Sequence, residues 1–568
     1  MSYSRPVLPP TVGEPTTVYN TNYFLYWNNV TLDLNRLATS LFNAPNNDPP
    51  SAARALAIVH LAIHDAYFSI RPEALGTIKT YLRLDDSDPK TRLPAAPTNG
   101  DTRLAVAGAA IATVRQLYTT PRPNTPTAVT AVFRQFIDEA AARFPNLNML
   151  SPSFFFGSAV GQAMLNLLDQ GAAPFDQGGY MPTPGRFKFD DDPTHPVRIV
   201  PVDVNNPNGP RRAIRVYASP FYGSVAKRVA VQQNHLIADP PLGSDTNSVQ
   251  EYNFAFQEVY NQGGAQALNT TRRRPSQMTT GFFWAYDGAN LIGTPPRHYN
   301  LLLRKIAVDK KPAADITDES NTTGFVRLFA LANAAQADAG IFAWLAKYSY
   351  EVWRPLSGVR QDNQNPMADP FWLSQGAPNT NINDTPFKPP FPAYPSGHAT
   401  FGGAFFQAVR LYYKQRDSLT FADDAPDNIS FTAISDELNG VNRDLRQPYD
   451  PNVAITEQLG TVRTLVPKTF KSLWDAMFDN AISRVYLGVH WGFDAFPAAD
   501  VVQTTQLQSD GTVAYKTTDT IKYTTRGTRG DQAGTFPIGG VPLGIEIAND
   551  IFRSGLKQAG VKPAPMAA

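Results

Sequence analysis

Long segments with apolar residues at helical spacing constrain this chain most, because they leave little of its length for a β-sheet. Residues 51–70 begin with a serine suited to cap a helix, and apolar side chains then follow at intervals of three and four. The same pattern recurs at 101–117, 127–143, 158–169, 300–308, 324–353, 400–414, 473–487 and 545–556. Strand-like alternation is clearest at 198–202 and 212–217, which predict a minor hairpin. The sequence therefore predicts an all-α fold.

Proline and glycine divide these helical segments. The chain of 568 residues has 49 prolines and 38 glycines, which indicates long irregular loops between the helices. We expect two helical bundles, with minor β-hairpins in the loops. The predicted divisions are an N-terminal arm at 1–44, a first bundle with a long loop excursion at 45–274, a second bundle carrying the site at 275–500, and a C-terminal segment packed over the bundles at 501–568.

Composition excludes several kinds of site. The absence of cysteine rules out disulfides, cysteine-ligated metals and a thiol nucleophile. Fifty Lys and Arg against 49 Asp and Glu give a net charge of +1, too small a field to attract nucleic acid or an anionic membrane. No stretch approaches the roughly 20 apolar residues of a membrane span, and the N-terminus shows no conventional signal peptide. Any anion site must therefore be local.

The first of three short runs that suggest such a site lies at the end of the segment 324–353. Lys347 and Arg354 are seven residues apart, so a helix would place them on one face together with Trp344. Pro355 favours a helix end near Arg354. Two cations from one element can converge on one point, although a solvated helix face explains this spacing better when the run is taken alone.

The second run, Pro395-Ser396-Gly397-His398, joins a proline-rich loop to the segment 400–414. Ser396 fits a helix N-cap, and the amides of Gly397 and His398 would be unpaired donors at the positive end of that helix. An oxyanion bound there gains hydrogen bonds and a favourable dipole together. An ordinary serine-capped helix is the local alternative.

The third run contains Ser483-Arg484, His490 and Asp494. His490 can present one ring nitrogen to an anion if a carbonyl or carboxylate holds the other, and Asp494 is the nearest candidate in sequence. A core histidine in apolar surroundings is the alternative. Together the runs supply three cations, a hydroxyl, a backbone amide and two imidazoles but no acidic ligand. That set suits a tetrahedral oxyanion whose central atom takes a fifth bond from nitrogen.

In this order and at these spacings, the runs resemble the signature K-x6-RP, PSGH and SR-x5-H-x3-D. Vanadium-dependent haloperoxidases share it with the acid phosphatase superfamily. Longer segments such as FWAYDGANLIGTPPRHYN and FKPPFPAYPSGHATFGGAFF are similar to the fungal chloroperoxidases among these haloperoxidases. The resemblance implies an enzyme that oxidises chloride, bromide or iodide with hydrogen peroxide to hypohalous acid. One vanadate per chain would form a peroxovanadate and remain V(V).

The resemblance also implies roles for single residues. His490 would bond vanadium directly, and His398 would be the acid–base residue. Five groups would hold the oxygens of vanadate: Lys347, Arg354, Ser396, Gly397 and Arg484. Lys347 would also polarise a peroxide oxygen. The resemblance implies that the carboxylate of Asp287 fixes Arg354.

A halide pocket is implied at Trp344 and Phe391. The algal bromoperoxidases resemble this chain in the signature but tend to have histidine in place of Phe391, so the aromatic wall favours chloride. Gly492 stands where the fungal members carry an arginine. The implied partners are hydrogen peroxide, a halide ion and a small organic acceptor, with phosphate as a competitor. Secretion is implied only because related enzymes act outside the cell.

An acid phosphatase is the alternative function. His490 would then form a phosphohistidine and His398 would be the general acid. However, 84 residues separate His398 from Ser483, a longer gap than is usual in phosphatases that resemble this signature. We therefore expect phosphate-ester hydrolysis only as a weak activity of the vanadium-free protein.

Overall fold

A computed structural model describes residues 3–76, 79–120, 122–287, 291–378, 388–442, 450–458, 462–530 and 532–562. Its helices in these ranges are α1 (Thr16–Tyr19), α2 (Tyr23–Ser40), α3 (Pro49–Ile70), α4 (Thr102–Thr119), α5 (Thr127–Arg143), α6 (Pro152–Leu168), α7 (Tyr222–Val225), α8 (Thr246–Gln262), α9 (Pro275–Phe283), α10 (Pro295–Asp309), α11 (Glu319–Tyr350), α12 (Pro355–Gln361), α13 (Gly397–Arg416), α14 (Leu473–Tyr486), α15 (Ala498–Val501) and α16 (Gly540–Ser554). The all-α prediction is confirmed.

Strands occur only as three two-stranded antiparallel sheets within the described ranges. The pairs are β1 (Arg198–Pro201) with β2 (Arg211–Ile214), β3 (Phe431–Ile434) with β4 (Pro467–Phe470), and β5 (Arg526–Arg529) with β6 (Gln532–Pro537). The first pair confirms the predicted hairpin. The β3–β4 sheet contributes Phe431 and Phe470 to the apolar core.

The start of α3 differs from the prediction. Asp48, rather than Ser51, is the N-cap residue, and its Oδ1 accepts a hydrogen bond from the Ser51 amide at 2.8 Å. Pro49 and Pro50 follow the cap and have no N–H group to satisfy, which suits the first turn of a helix. The longer helix therefore begins two residues before the apolar pattern.

Helix α11 forms the centre of the molecule and is buried on nearly all sides. It packs against α3, α13 and α16, and helices from both predicted bundles share one apolar core. Gly544 lets α16 approach α13 closely, because a Cβ atom there would overlap the backbone at Thr400 and Ala404. By length and hydropathy α11 would also suit a membrane span, and it is the one such helix in the described ranges, but 94% of its apolar window is buried inside the protein.

Helix α2 lies within the predicted N-terminal arm at 1–44 and packs into the common core. Phe24 and Trp27 are fully buried in the common core, and Arg304 of α10 donates a hydrogen bond to the Leu25 carbonyl at 2.8 Å. The apolar spacing of α2 is hard to detect in the sequence because buried polar residues, such as Asn28, interrupt it.

Candidate active site

The three sequence runs meet at the inner end of one cavity of about 1160 Å³. The predicted site residues that line it are Asp287, Trp344, Arg354, Phe391, Gly397, His398, Arg484 and His490. The other two, Lys347 and Ser396, are buried next to lining residues. The structure therefore brings together all ten side chains and amides that the sequence assigned to the site.

Lys347 and Arg354 converge, but not on one helix as predicted. Helix α11 ends at Tyr350, where Glu351 adopts a left-handed conformation, and Arg354 lies at the N-cap of α12. The Lys347 Nζ atom is 5.3 Å from the centre of the Phe391 ring, and the Arg354 guanidinium is 4.8 Å from it. A turn, rather than a continuous helix, aims both cations at the same place.

His490 is held in one tautomer by its two neighbours. Its Nδ1 atom lies 2.7 Å from Oδ2 of Asp494, and its Nε2 atom lies 2.9 Å from Nη1 of Arg354. A guanidinium can only donate hydrogen bonds, so Nε2 must be the acceptor and Nδ1 must carry the proton. The lone pair of Nε2 therefore points towards the cations, and the predicted role of Asp494 in holding the other nitrogen is confirmed.

Burial and charge keep His490 neutral. Burial lowers the pKa of His490 well below its usual value, and the nearby cations Arg354 and Lys347 lower it further. Burial raises the pKa of Asp494 to about 7, although Lys347 and Arg354 act in the opposite direction. A neutral imidazole with an unprotonated Nε2 atom is the form that ligates a metal. In this structure Arg354 donates a hydrogen bond to that nitrogen.

The two arginines carry buried donors that point to an anion. Arg354 donates to the carbonyls of Phe391 at 2.9 Å and Val489 at 2.7 Å. Among the described residues, its Nη2 atom and the Nε and Nη1 atoms of Arg484 have no hydrogen-bond partner, and all three are buried. Burial also lowers the pKa of Arg354 to about 9. Unpaired buried donors are costly, so this arrangement favours binding of an oxyanion.

Lys347 is a buried ammonium group without a carboxylate contact among the described residues. Its Nζ atom donates to the carbonyls of Pro392 at 2.8 Å and Ala393 at 2.9 Å. Burial lowers its pKa well below the usual lysine value, and Arg354 lowers it further. Two of its three possible donor positions are used, which leaves one for a bound oxygen.

Ser396 caps α13, as predicted. Its Oγ atom accepts a hydrogen bond from the Ala399 amide at 3.3 Å. No acceptor for the amides of Gly397 and His398 occurs within the part of the chain that the structure describes. Gly397 lines the cavity, and a Cβ atom there would stand at ordinary contact distance, 3.4 Å, from the Trp344 ring.

His398 is oriented by a backbone carbonyl that sequence reasoning missed. Its Nε2 atom lies 3.1 Å from the carbonyl oxygen of Trp284 and 4.0 Å from Oδ1 of Asp287. Both can act as acceptors, so Nε2 carries the proton and Nδ1 is left to accept one. Burial lowers the pKa of His398 well below its usual value, and Arg484 contributes to the decrease. A backbone carbonyl has no signal in the sequence.

Asp287 contacts a different arginine from the one predicted. Its Oδ1 atom accepts a hydrogen bond from Nη2 of Arg484, whereas no hydrogen bond joins Asp287 to Arg354. The Nε and Nη1 atoms of Arg354 instead donate hydrogen bonds to backbone carbonyls and to His490. Asp287 therefore fixes Arg484 and lies close to His398, which corrects the expected pairing.

The predicted halide pocket is an aromatic wall. The rings of Trp344 and Phe391 lie 4.9 Å apart, and Nε1 of Trp344 donates to the Ala218 carbonyl at 3.2 Å. Lys388 contributes a support that the sequence did not reveal, because its Nζ atom binds Ser357 of α12 at 2.8 Å and Asp190 of the long loop. The segment that carries Phe391 is thereby tied to the helix that follows Arg354.

Gly492 does not line the cavity. A Cβ atom at this position would overlap Oε2 of Glu258, whose pKa burial raises to about 7. An arginine here would require the Glu258 carboxyl group to move. Gly492 therefore lies against Glu258, outside the cavity that His490 lines.

Comparison with known proteins identifies the family. A model described as the vanadium chloroperoxidase N-terminal domain matches residues 8–228, and one described as the VCPO second helical-bundle domain matches residues 327–505. The chain is 51% identical over 586 residues to vanadium chloroperoxidase from Curvularia inaequalis, covering 100% of this chain and 95% of that protein. The chain belongs to the vanadium chloroperoxidase family. It is accordingly an enzyme and a vanadium haloperoxidase.

Solved structures of bacterial vanadium haloperoxidases have a similar fold. A bacterial vanadium-dependent iodoperoxidase matches with a TM-score of 0.50 and 16% identity, over 93% of this chain and 95% of that one. A holo-type bacterial vanadium-dependent chloroperoxidase matches with a TM-score of 0.50 and 16% identity, over 89% of this chain and 93% of that one. These likenesses support the helical fold alone.

The residues present fit the vanadate that this family implies. The buried unpartnered nitrogens of Arg354 and Arg484 suit its oxygens, and the Nε2 lone pair of His490 suits the metal. Among the described residues of the predicted site, most groups are nitrogen donors, and the one carboxylate, Asp287, pairs with Arg484. Such a set favours an anionic metal oxide over a bare cation.

Proposed function

We propose that this vanadium haloperoxidase oxidises chloride, and also bromide and iodide, with hydrogen peroxide to hypohalous acid. The observation that carries the proposal is the neutral His490, whose Nε2 lone pair faces buried cations in the cavity that also contains His398. Bound vanadate would supply Lewis-acid activation of peroxide without a change in its oxidation state. Lys347, Arg354, Ser396, Gly397 and Arg484 would hold its oxygens.

His398 acts as the acid–base residue in this proposal. Its Nε2–H group is engaged by the Trp284 carbonyl, so the Nδ1 lone pair accepts the proton that peroxide loses on binding. The lowered pKa keeps this nitrogen free of a proton at neutral pH. Lys347 has one donor left after binding two carbonyls, and that donor polarises a bound oxygen.

The halide approaches beside Trp344 and Phe391. The Phe391 ring lies under both Lys347 and Arg354, so the wall combines an apolar surface with nearby positive charge. The apolar surface excludes water from a bound halide ion, and the nearby cations attract that ion electrostatically. This supports chloride as a substrate, and Phe391→His is expected to lower the chloride rate more than the bromide rate.

We further propose that the enzyme acts outside the cell. Hypohalous acid damages thiols and thioethers, and a chain without cysteine lacks the side chain that oxidants attack most readily. The distribution of halogenating activity between the culture filtrate and the cell extract of its source organism tests this proposal. Activity confined to the extract would contradict it.

A halogenation assay on metal-stripped protein tests the function directly. The protein receives hydrogen peroxide, monochlorodimedone and either chloride or bromide, with and without orthovanadate, and then with excess phosphate. Vanadate-dependent chlorination that phosphate blocks is the expected result. Bromination alone would retain the reaction but reject chloride as the substrate. Hydrolysis of p-nitrophenyl phosphate without halogenation would favour the phosphatase alternative, in which the Nε2 atom of His490 is the nucleophile.

A further inference from the structure

The cavity is larger than the reaction described so far requires, and its part lined by residues other than the ten predicted site residues is called the outer part here. A volume of about 1160 Å³ greatly exceeds that of a halide ion and a peroxide molecule, and small organic ligands occupy pockets of about 300–1,000 Å³. The outer walls contain apolar side chains, including Phe42, Pro45 and Phe175. The space therefore suits an organic molecule next to the site where hypohalous acid forms.

The β1–β2 hairpin forms part of this outer wall, and Ile199 and Pro201 of its other face also line the cavity. Arg198 pairs with Ile214, and Val200 pairs with Arg212. Side chains alternate along a strand, so these four residues share one face, and all four line the cavity. Diagonal neighbours such as Arg198 and Arg212 lie about 7–8 Å apart, which places two guanidinium groups within reach of one anion.

The two arginines on this face of the hairpin, Arg198 and Arg212, are not paired with carboxylates among the described residues. Within the described ranges, neither Arg198 nor Arg212 forms an ion pair, whereas Arg215, just beyond β2, binds Asp191 at 3.2 Å. Arg122, which also lines the cavity, donates one hydrogen bond among the described residues, to the Leu117 carbonyl at 3.5 Å, and it interacts electrostatically with Asp169 and Asp48.

The lining also contains three aspartates, and two of them are already engaged. Asp48 accepts hydrogen bonds from Ser51 and Ser219, and Asp287 pairs with Arg484. The third, Asp176, is exposed and accepts a hydrogen bond from the Gly178 amide at 3.1 Å. The hairpin face therefore remains the positive part of the outer wall.

We propose that Arg198 and Arg212 form a subsite for an anionic organic acceptor, an aromatic compound with a carboxylate group. The carboxylate binds the two arginines, and the ring lies against the apolar wall towards His490. The proposal rests on the proposed haloperoxidase function and adds the class of acceptor. Hypohalous acid from that reaction transfers its halogen to a ring carbon: the carbon–halogen bond forms, the oxygen–halogen bond breaks, and the displaced ring proton joins the hydroxide to give water.

Equilibrium dialysis of 4-hydroxybenzoate and its neutral analogue 4-hydroxybenzamide tests the subsite without turnover. The protein is saturated with orthovanadate, so the inner cations are occupied, and no peroxide is added. We expect the carboxylate to bind about tenfold more tightly than the amide, as for one charge-assisted contact. The double variant R198Q/R212Q is expected to lose this preference.

Arg211 provides the matched control. It lies in the same hairpin but on the opposite face, is exposed, and does not line the cavity, so R211Q is expected to keep the full preference. Equal binding of the two compounds by the unaltered protein, or an equal loss in R211Q, would overturn the subsite. Metal analysis after gel filtration reports vanadate binding separately, and its failure counts against the proposed function. If vanadate does not bind, phosphate is used in its place to occupy Lys347, Arg354 and Arg484. The binding of 4-hydroxybenzoate and 4-hydroxybenzamide is then compared in the same way to test the subsite.

Discussion

His490 donates its Nδ1 proton to Asp494, and this bond determines which ring nitrogen reaches the cavity. The two atoms lie 2.7 Å apart, and both residues are buried. The backbone carbonyl of Asp494 also accepts a hydrogen bond from the Ser396 amide at 2.7 Å. One residue thus orients the imidazole that we propose binds vanadium and positions the cap of α13, so two of the three runs are joined directly.

Asp494→Asn is expected to weaken vanadate binding by about 10–100-fold, the usual effect of removing a carboxylate behind a ligating histidine. The amide keeps the shape of the side chain but removes the charge that favours a protonated Nδ1. Equilibrium dialysis with metal analysis measures the affinity, and thermal unfolding of the vanadate-free protein controls for folding. An unchanged affinity would show that Asp494 has a structural role only.

His490→Ala is the stronger variant at the same place. Because it removes the nitrogen that faces the cations, both vanadate binding and halogenation should be lost. Catalysis that survived the loss of vanadate affinity would contradict the assignment of His490 as the metal ligand.

His398→Ala is expected to separate binding from catalysis. The side chain contributes no donor to the buried cation cluster, so vanadate affinity should stay within a fewfold of that of the unaltered protein. The rate of halogenation should fall by about 10²–10⁴-fold, the usual contribution of a positioned acid–base group. Steady-state kinetics with saturating vanadate measures this fall, and an unchanged rate would remove His398 from the mechanism.

The sequence predicted the members of the site more fully than their contacts. The three runs together, with the resemblance they carry, predicted that Lys347, Ser396 and His490 belong to one site, and the structure places them at or next to one cavity. The partner of Asp287 was not predictable in the same way, because it depends on how α14 packs against the loop after α9. Likewise, α2 was missed because buried polar residues, Asn28 among them, are satisfied only by distant groups such as His60.

The corrected pairing of Asp287 predicts a difference between two double-mutant cycles. Asp287 and Arg484 form a buried, hydrogen-bonded ion pair, so their alanine variants should couple by about 0.5–3 kcal/mol in the free energy of unfolding. Asp287 and Arg354 share no hydrogen bond, and their coupling should be smaller. Urea denaturation of the single and double variants measures both energies. A larger coupling for Arg354 would restore the original assignment.

His298 is a buried histidine outside the reaction, and it predicts a pH-dependent loss of stability. Its ring is stacked on Tyr286 with centroids 4.1 Å apart, and neither ring nitrogen has a partner among the described residues. Burial lowers its pKa from 6.5 to about 3. As pH falls below 6.5 the unfolded chain binds a proton that the folded protein cannot, so His298 reduces stability progressively down to about pH 3.

His298→Phe keeps an aromatic ring in this place and removes the titrating group. The stability of the variant relative to the unaltered protein should therefore rise by about 1.4 kcal/mol for each pH unit below 6.5. Urea denaturation at pH 7 and at pH 5 gives the difference in unfolding free energy between the variant and the unaltered protein at each pH. Any packing defect of the larger ring contributes equally to both differences and cancels when they are compared. A relative stability of His298→Phe that stayed constant between the two pH values would mean that the buried ring accepts a proton in the folded protein.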